Sequence, residues 1–230
     1  MPADDKLRLN KHLALQLGVS RREADNLISQ GKVTINGRQA ELGARFVAND
    51  EIMVDGRPLK ADVAYQYLAL NKPVGYVCSR RQQGDSPTIY ELIPAKYHHL
   101  KPVGRLDRDS SGIILLSNDG DFAFRMTHPK FAKTKIYNVS LDHDLAPIHQ
   151  QMISDYGVNL EDGNSLLQLE RAGDTDRKNW IVTMKEGRNR QIRRTFDSLG
   201  YSVVALHRSN FGNYAVGDIK PGEFEIVDIR

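Results

Sequence analysis

Cysteine is almost absent from this chain, Cys78 being the single one in 230 residues. An internal disulfide and a cysteine-based zinc site are thereby excluded, and the composition fits a reducing compartment. Long apolar runs are missing too. No stretch approaches the roughly 18 residues that a membrane span requires. The opening residues Met1-Pro2-Ala3-Asp4-Asp5 lack the apolar core of a signal peptide, so a cytoplasmic protein with no membrane partner is expected. Neither sign of charge is in large excess. A formal net charge of +3 does not by itself argue for nucleic-acid binding, so the distribution of charge has to decide. Internal repeats and low-complexity tracts are lacking. What is present, 40% hydrophobic and 27% charged residues with a mean hydropathy of −0.49, describes a globular chain long enough for one domain or two small ones.

Residues 7–18 place Leu9, Leu13 and Leu17 on one helical stripe, with Gly18 as the stop. Ser20-Arg21-Arg22-Glu23 fits a capping box, and Ala24, Leu27 and Ile28 form the apolar face of a second short helix closed by Gly31. Two β-rich stretches follow, Val33 to Ile35 and Ile52 to Val54, each running into a turn dipeptide, Asn36-Gly37 or Asp55-Gly56. Between residues 6 and 22 the charged residues are Lys6, Arg8, Lys11, Arg21 and Arg22, with no acid among them. Cations on two adjacent helices suit a phosphate backbone; a solvated face is the plain alternative. Residues 61–66 read as a linker, and 67–230 as a second domain.

In that second part, Tyr67 to Val77 reads as a strand, a Lys72-Pro73 turn and a second strand. Residues 80–88 read as a surface loop, and Thr88 to Ile93 as a short helix. The centre is residues 104–120, a charged loop from Gly104 to Gly112 feeding the apolar run Ile113 to Leu116, and that run reads as a buried strand. Asp107 lies just upstream of it, fenced by Arg105 and Arg108, neighbours that favour a charged carboxylate. Phe122 to His128 is helix-like. Lys133 to Leu141 alternates as a strand, Tyr137, Val139 and Leu141 sharing one face. Leu145, Ile148, Met152 and Tyr156 suggest a helix over 145–156, and Leu166 to Leu169 and Trp180 to Met184 two strands. Lys185 to Arg194 holds five cations and one acid in ten residues and leads into a helix carrying Ile192, Phe196 and Leu199. Tyr201 to Leu206 is expected as a strand, His207 to Tyr214 as a basic turn and Gly222 to Ile229 as the closing strand.

Residues 8–11, 20–24 and 31–37 carry Arg-Leu-Asn-Lys, Ser-Arg-Arg-Glu-Ala and Gly-Lys-Val-Thr-Ile-Asn-Gly. Together they resemble the S4 RNA-binding module over residues 1–60. Asn71-Lys72-Pro73-x-Gly75, Gly104-Arg105-Leu106-Asp107, Lys135-Ile136-Tyr137 and Glu186-Gly187-x-x-x-Gln191-Ile192-Arg193-Arg194 resemble, in order, the motifs of RsuA-type pseudouridine synthases. These enzymes convert a uridine in RNA to its C-glycoside isomer. The resemblance implies an α+β protein, an S4-like module followed by a mixed, largely antiparallel catalytic sheet. It also implies a ribosomal RNA or pre-ribosomal particle as partner, no cofactor and no metal, and a monomer. His128-Pro129 ahead of Lys135-Ile136-Tyr137 leans towards the large ribosomal subunit.

Isomerisation breaks the N1–C1′ bond, turns the base while it is bound and rejoins it through C5, so the base has to leave its stack. A carboxylate near the sugar, an aromatic face for the base, a cation for the carboxylate and a residue to fill the vacated stack are then needed. Asp107, Tyr137, Arg193 and Arg105 are the respective candidates. By resemblance Asp107 is the nucleophile or base, Tyr137 contacts the base, Arg193 pairs with Asp107, and Leu106 and Ile192 pack the pocket. Arg8, Lys11, Arg21, Arg22, Arg105, Arg188, Arg190 and Arg194 are the expected RNA contacts. Thr195 stands where the family usually has methionine, which puts one packing contact in question. On residue type alone, Tyr137 is more often a core tyrosine and Arg193 a phosphate contact or surface cation, while a metal on Asp107-x-Asp109 is disfavoured because no third ligand converges on it. Two other classes compete: a non-catalytic RNA-binding or ribosome-assembly factor, and a metal-dependent phosphotransferase.

Overall fold

A computed structural model describes residues 6–59, 64–174 and 176–229. The expected linker at 61–66 lies partly outside them. Two compact units divide between Gln66 and Tyr67, with Asn118–Gly120 grouped with the first.

The first unit packs α1 (Leu9–Gln16) and α2 (Arg21–Ser29) on β1 (Val33–Ile35), β2 (Arg38–Gln39), β3 (Ile52–Val54) and β4 (Arg57–Pro58), in the sheet order β2-β1-β3-β4. The capping box is formed: Ser20 Oγ accepts from Glu23 N at 3.1 Å, and Glu23 Oε2 accepts from Ser20 N at 2.6 Å. Both hairpins have the two-residue loops expected, and Asn36, Gly37, Asp55 and Gly56 all sit at positive φ. That is what type I′ turns demand and what Asn-Gly and Asp-Gly supply. Leu9, Leu13, Ala24, Ile28 and Val33 fill the core. Leu17 does not; the helix ends at Gln16 and leaves it exposed, while Leu7 pairs with Phe46 instead of starting the helix.

The second unit is a mixed sheet with helices around it. Its strands are β5 (Tyr67–Lys72), β6 (Lys101–Val103), β7 (Ser111–Ser117), β8 (Lys135–Leu141), β11 (Gln168–Arg171), β12 (Asn179–Met184), β13 (Val203–Phe211), β14 (Tyr214–Ala215) and β15 (Phe224–Ile226). A separate hairpin, β9 (Val158–Leu160) and β10 (Gly163–Ser165), precedes β11. The order is β11-β12-β8-β13-β7-β5-β15, with β6 on β7 and β14 on β13. All of these pairs are antiparallel except β13 with β7, where His207 faces Ser111 and Arg208 faces Gly112. The α+β expectation holds.

Hydrophobic pattern explains strand position. In β7, Ile114 and Leu116 enter one core cluster and Ile113 and Leu115 another on the opposite face. A strand covered on both sides has to read as a continuous apolar run. Burying these four side chains contributes about 6–12 kcal/mol, an upper bound set by the extended-chain reference. In β8 only Tyr137, Val139 and Leu141 are buried, so its sequence alternates as expected.

Several elements differ from expectation. Residues 88–93 form a tight 3₁₀ turn, Ile89–Leu92, with its own Thr88/Glu91 capping box. No second strand follows Pro73; Val77 makes one isolated bridge, to Thr88. The predicted helix over 145–156 is split into α4 (Pro147–Gln151) and a π turn, Met152–Tyr156. The wider π turn moves the inward position on by one, so Leu145 and Ile153 are buried and Ile148, Met152 and Tyr156 face solvent. Strand β13 continues through the supposed basic turn to Phe211, because Arg208 finds acceptors inside the sheet. The strand expected over 166–169 is shifted to 168–171, and the closing strand is only three residues long.

Candidate active site

A cleft of about 610 Å³ opens where the 104–110 loop, the start of β8, the end of β12, the loop 185–190, the N-terminus of α5 (Gln191–Asp197) and β13 converge. Asp107, Arg105, Tyr137, Lys135, Arg190 and Ile192 are among its lining residues. The Asp107 loop is tightly held. Ser110 N donates to Asp107 O at 3.1 Å, Leu106 N to Cys78 Sγ at 3.4 Å, and Gly75 N to Arg108 O at 2.7 Å.

Asp109, two residues on, gathers the cations. Arg190 Nη1 donates to Asp109 Oδ1 at 3.1 Å and Arg190 Nη2 to Asp109 Oδ2 at 3.2 Å, a bidentate pair. Arg190 Nη1 also lies 3.7 Å from Asp107 Oδ2. Arg193 places Nε 3.3 Å from Asp109 Oδ2 and donates from Nη2 to Asp109 O at 2.9 Å and from Nη1 to Val203 O at 2.6 Å. Burial works against ionisation of Asp109, but the hydrogen bond from Arg190 and the charges of Arg193 and Arg190 outweigh it and hold the carboxyl below its ordinary range. Arg190 caps α5 in the left-handed region (φ 46°, ψ 31°), an uncommon conformation for a non-glycine residue.

The far rim is a second network. Arg188 donates to Asp162 Oδ1, Gly163 O and Asn164 O of the β9–β10 hairpin, and Arg194 donates to both Asp162 oxygens. Gln191 Nε2 donates to Ser165 Oγ and, in a short contact, to Glu186 Oε1. Thr195 is fully buried, its hydroxyl 2.8 Å from Ser165 Oγ. A hydroxyl pair thus fills the place where a methionine contact was expected.

Among the described residues no helix is long and apolar enough to cross a membrane, and no group of three His, Cys, Asp or Glu side chains is arranged to hold a metal. Residues 66–198 match the model of the RNA pseudouridylate synthase family, and residues 7–52 that of the S4 domain. The chain belongs to the RNA pseudouridylate synthase family. It is 34% identical to "Ribosomal small subunit pseudouridine synthase A" of Yersinia pestis, covering 95% of this chain and 93% of that one. It is 33% identical to "Ribosomal large subunit pseudouridine synthase B" of Bacillus subtilis, with 89% and 85% covered. A crystal structure of a pseudouridylate synthase, 33% identical, superposes with a TM-score of 0.66 over 96% of both chains.

Within this synthase the structure brings Asp107, Tyr137, Arg105, Leu106 and Ile192 into one cleft, and Arg188 and Arg190 onto its rim. It does not pair Asp107 with Arg193. The expected ion pair is replaced by Arg193 on Asp109, and Arg190 is the cation within reach of Asp107. The reason is geometric: Arg193 points behind the loop, where the Asp109 and Val203 carbonyls take its guanidinium, and it does not line the cleft. Asp109, in sequence a loop residue with no metal role for want of a third ligand, is the arginine anchor. Arg188 and Arg194, expected as RNA contacts, are engaged by Asp162. In the S4 unit Arg8, Arg21 and Arg22 are exposed and Lys11 is half-buried.

Two buried cations of the synthase escaped the sequence reading. Lys72 is 0% exposed and donates to Pro73 O and Tyr76 O, both at 2.9 Å. Burial pushes its ammonium below the usual lysine range, only partly countered by Cys78, Asp107 and Asp109. It shapes the 73–76 turn whose Gly75 holds Arg108, so the Asn-Lys-Pro-x-Gly pattern was the available signal. Arg208, 2% exposed, donates from Nε and Nη2 to Ile113 O at 2.9 and 2.7 Å and lies 4.7 Å over the Phe211 ring. In the sequence it was only one cation of what read as a basic turn.

Proposed function

We propose that this synthase isomerises specific uridines of ribosomal RNA, free or within a pre-ribosomal particle, in the cytoplasm, with Asp107 as the catalytic carboxylate. The observation that carries the reading is the convergence of Asp107 and the Tyr137 ring on one cleft with a basic rim. A uridine flipped into the cleft stacks on Tyr137, and Asp107 acts at the sugar as N1–C1′ breaks. The base turns, C5–C1′ forms, the C5 proton leaves to solvent and N1 takes up a proton. Arg105 fills the vacated stack, Leu106 and Ile192 pack the pocket, and Arg190 neutralises charge beside Asp107. Arg8, Lys11, Arg21 and Arg22 of the S4 unit hold the phosphate backbone. Arg193 acts through the loop, holding it by way of Asp109. His128-Pro129 tilts the acceptor towards the large subunit, although relatives named for either subunit are about equally similar.

The test is release of tritium from ribosomal RNA labelled at uridine C5, taken from cells lacking the protein, followed by carbodiimide mapping of both ribosomal RNAs. Asp107→Asn is expected to abolish release while RNA affinity stays within about threefold. Wild-type turnover in that variant would remove Asp107 from the chemistry. No release by the wild type would leave a non-catalytic RNA-binding factor.

A further inference from the structure

Beside the cleft, the end of α3 (Gly120–Thr127) and the turn after it present an aromatic and basic cluster that the proposed mechanism does not use. Phe124 is 46% and Phe131 37% exposed. Their ring centroids are 5.7 Å apart, edge to face, and His128 lies 4.6 Å from Phe124. Lys130 Nζ sits 4.7 Å over the Phe131 ring and 5.3 Å over the Phe124 ring. A lone exposed phenylalanine means little. Two with a histidine and a lysine within eight residues form a built feature, and its backbone is fixed. Pro129 starts a 3₁₀ turn, Lys130 N donates to His128 Nδ1 at 3.2 Å, and Ala132 ends the turn in the left-handed region (φ 45°).

The cluster is continuous with the cleft. Thr127 and Pro129 line it, and the Thr127 methyl lies against Gly104, the first residue of the Asp107 loop. A nucleotide drawn into the cleft brings its flanking nucleotides against the protein, and an unpaired one needs a stacking surface beyond the gap that Arg105 fills. Aromatic faces interleaved with cations meet the needs of such a nucleotide: rings for the base and an ammonium for its phosphate. A lysine resting over exposed rings is weakly held, so a base can displace it and Lys130 can turn to the phosphate.

Resting on the synthase reading, we infer that Phe124, His128, Lys130 and Phe131 form a subsite that stacks an unpaired nucleotide flanking the target uridine. The test measures filter binding of small- and large-subunit ribosomal RNA, taken from cells lacking the protein, to the full chain in an Asp107→Asn background. Phe124→Leu with Phe131→Leu keeps apolar bulk and removes the ring faces. It is expected to weaken binding about tenfold, the loss of one stacked base, whereas Phe124→Trp with Phe131→Trp restores the affinity. Unchanged affinity in the leucine pair, or equal weakening in the leucine and tryptophan pairs, would overturn the subsite. Tritium release by the otherwise wild-type protein on the same RNAs reads the synthase assignment separately. Release together with unchanged binding by the leucine pair removes the subsite alone.

Discussion

Asp109 is the residue whose removal should do most to loosen the Asp107 loop without touching the cleft chemistry directly. Its side chain is 44% exposed, so its bidentate pair with the equally exposed Arg190 is screened and contributes about 0.2–1 kcal/mol. Its ion pair with Arg193, only 13% exposed, is less screened and is worth about 1 kcal/mol. Asp109→Ala is therefore expected to cost up to about 2 kcal/mol, a fall of up to about 4–8 °C in the melting of a domain this size. Asp109→Asn, which keeps an acceptor oxygen, should lose about half as much. The sign of the pH dependence follows from the depressed carboxyl of Asp109. Its stabilisation is fully present above the unfolded carboxylate pKa and is lost as pH falls through the lower folded value. In scanning calorimetry the gap between wild type and Asp109→Ala should thus be complete near neutrality and close below the ordinary carboxylate range. Turnover should also fall, by about 10- to 100-fold, because Arg190 is freed and Arg193 keeps only its backbone contact to the loop. A gap that stays constant with pH, or no gap at all, would refute the assignment of Asp109 as the arginine anchor.

Two further outcomes test the frame of the site. Gly112 sits at φ +106° with Arg208 O 2.2 Å and Arg208 N 2.6 Å from where a Cβ would lie. Both are backbone atoms that cannot yield, so Gly112→Ala should cost more than about 3 kcal/mol, read as a lower urea midpoint or loss of folded protein. Tyr137→Phe keeps the ring and should hold C5 tritium release within about threefold of wild type, while Tyr137→Ala loses stacking and packing and should lower it at least about 100-fold. Equal losses in the two would count against stacking as the role of Tyr137.

Local signals were the most legible part of this chain. The Ser20 and Glu23 cap and the Asn36-Gly37 and Asp55-Gly56 turns rest on contacts close in sequence, and the buried strand around Ile113 to Leu116 announces itself by its own unbroken apolar run. The π turn at Met152–Tyr156 was not legible, because one extra residue in a turn changes which side chain faces inward without changing composition. Nor was the reach of β13, whose continuation depends on Arg208 finding Ile113 O, 95 positions away. The choice of partner among Asp107, Asp109, Arg190 and Arg193 failed for a related reason. The two acids are two residues apart and the two arginines about one helical turn apart, so only the folded direction of each guanidinium decides. The family motifs named the right neighbourhood and left the pairing to the structure.

The parallel pairing of β7 with β13 has a consequence for when this protein becomes competent. Gly112 leaves the ribosome long before Arg208, and until the later strand arrives the Asp107 loop has no far wall. Pairings of such sequence separation form late, since closure entropy precedes any reward. Cleft, cap and rim are therefore completed together, only once β13 has emerged. The S4 unit, which leaves the ribosome first, thus precedes by about 140 residues the strand that completes the cleft.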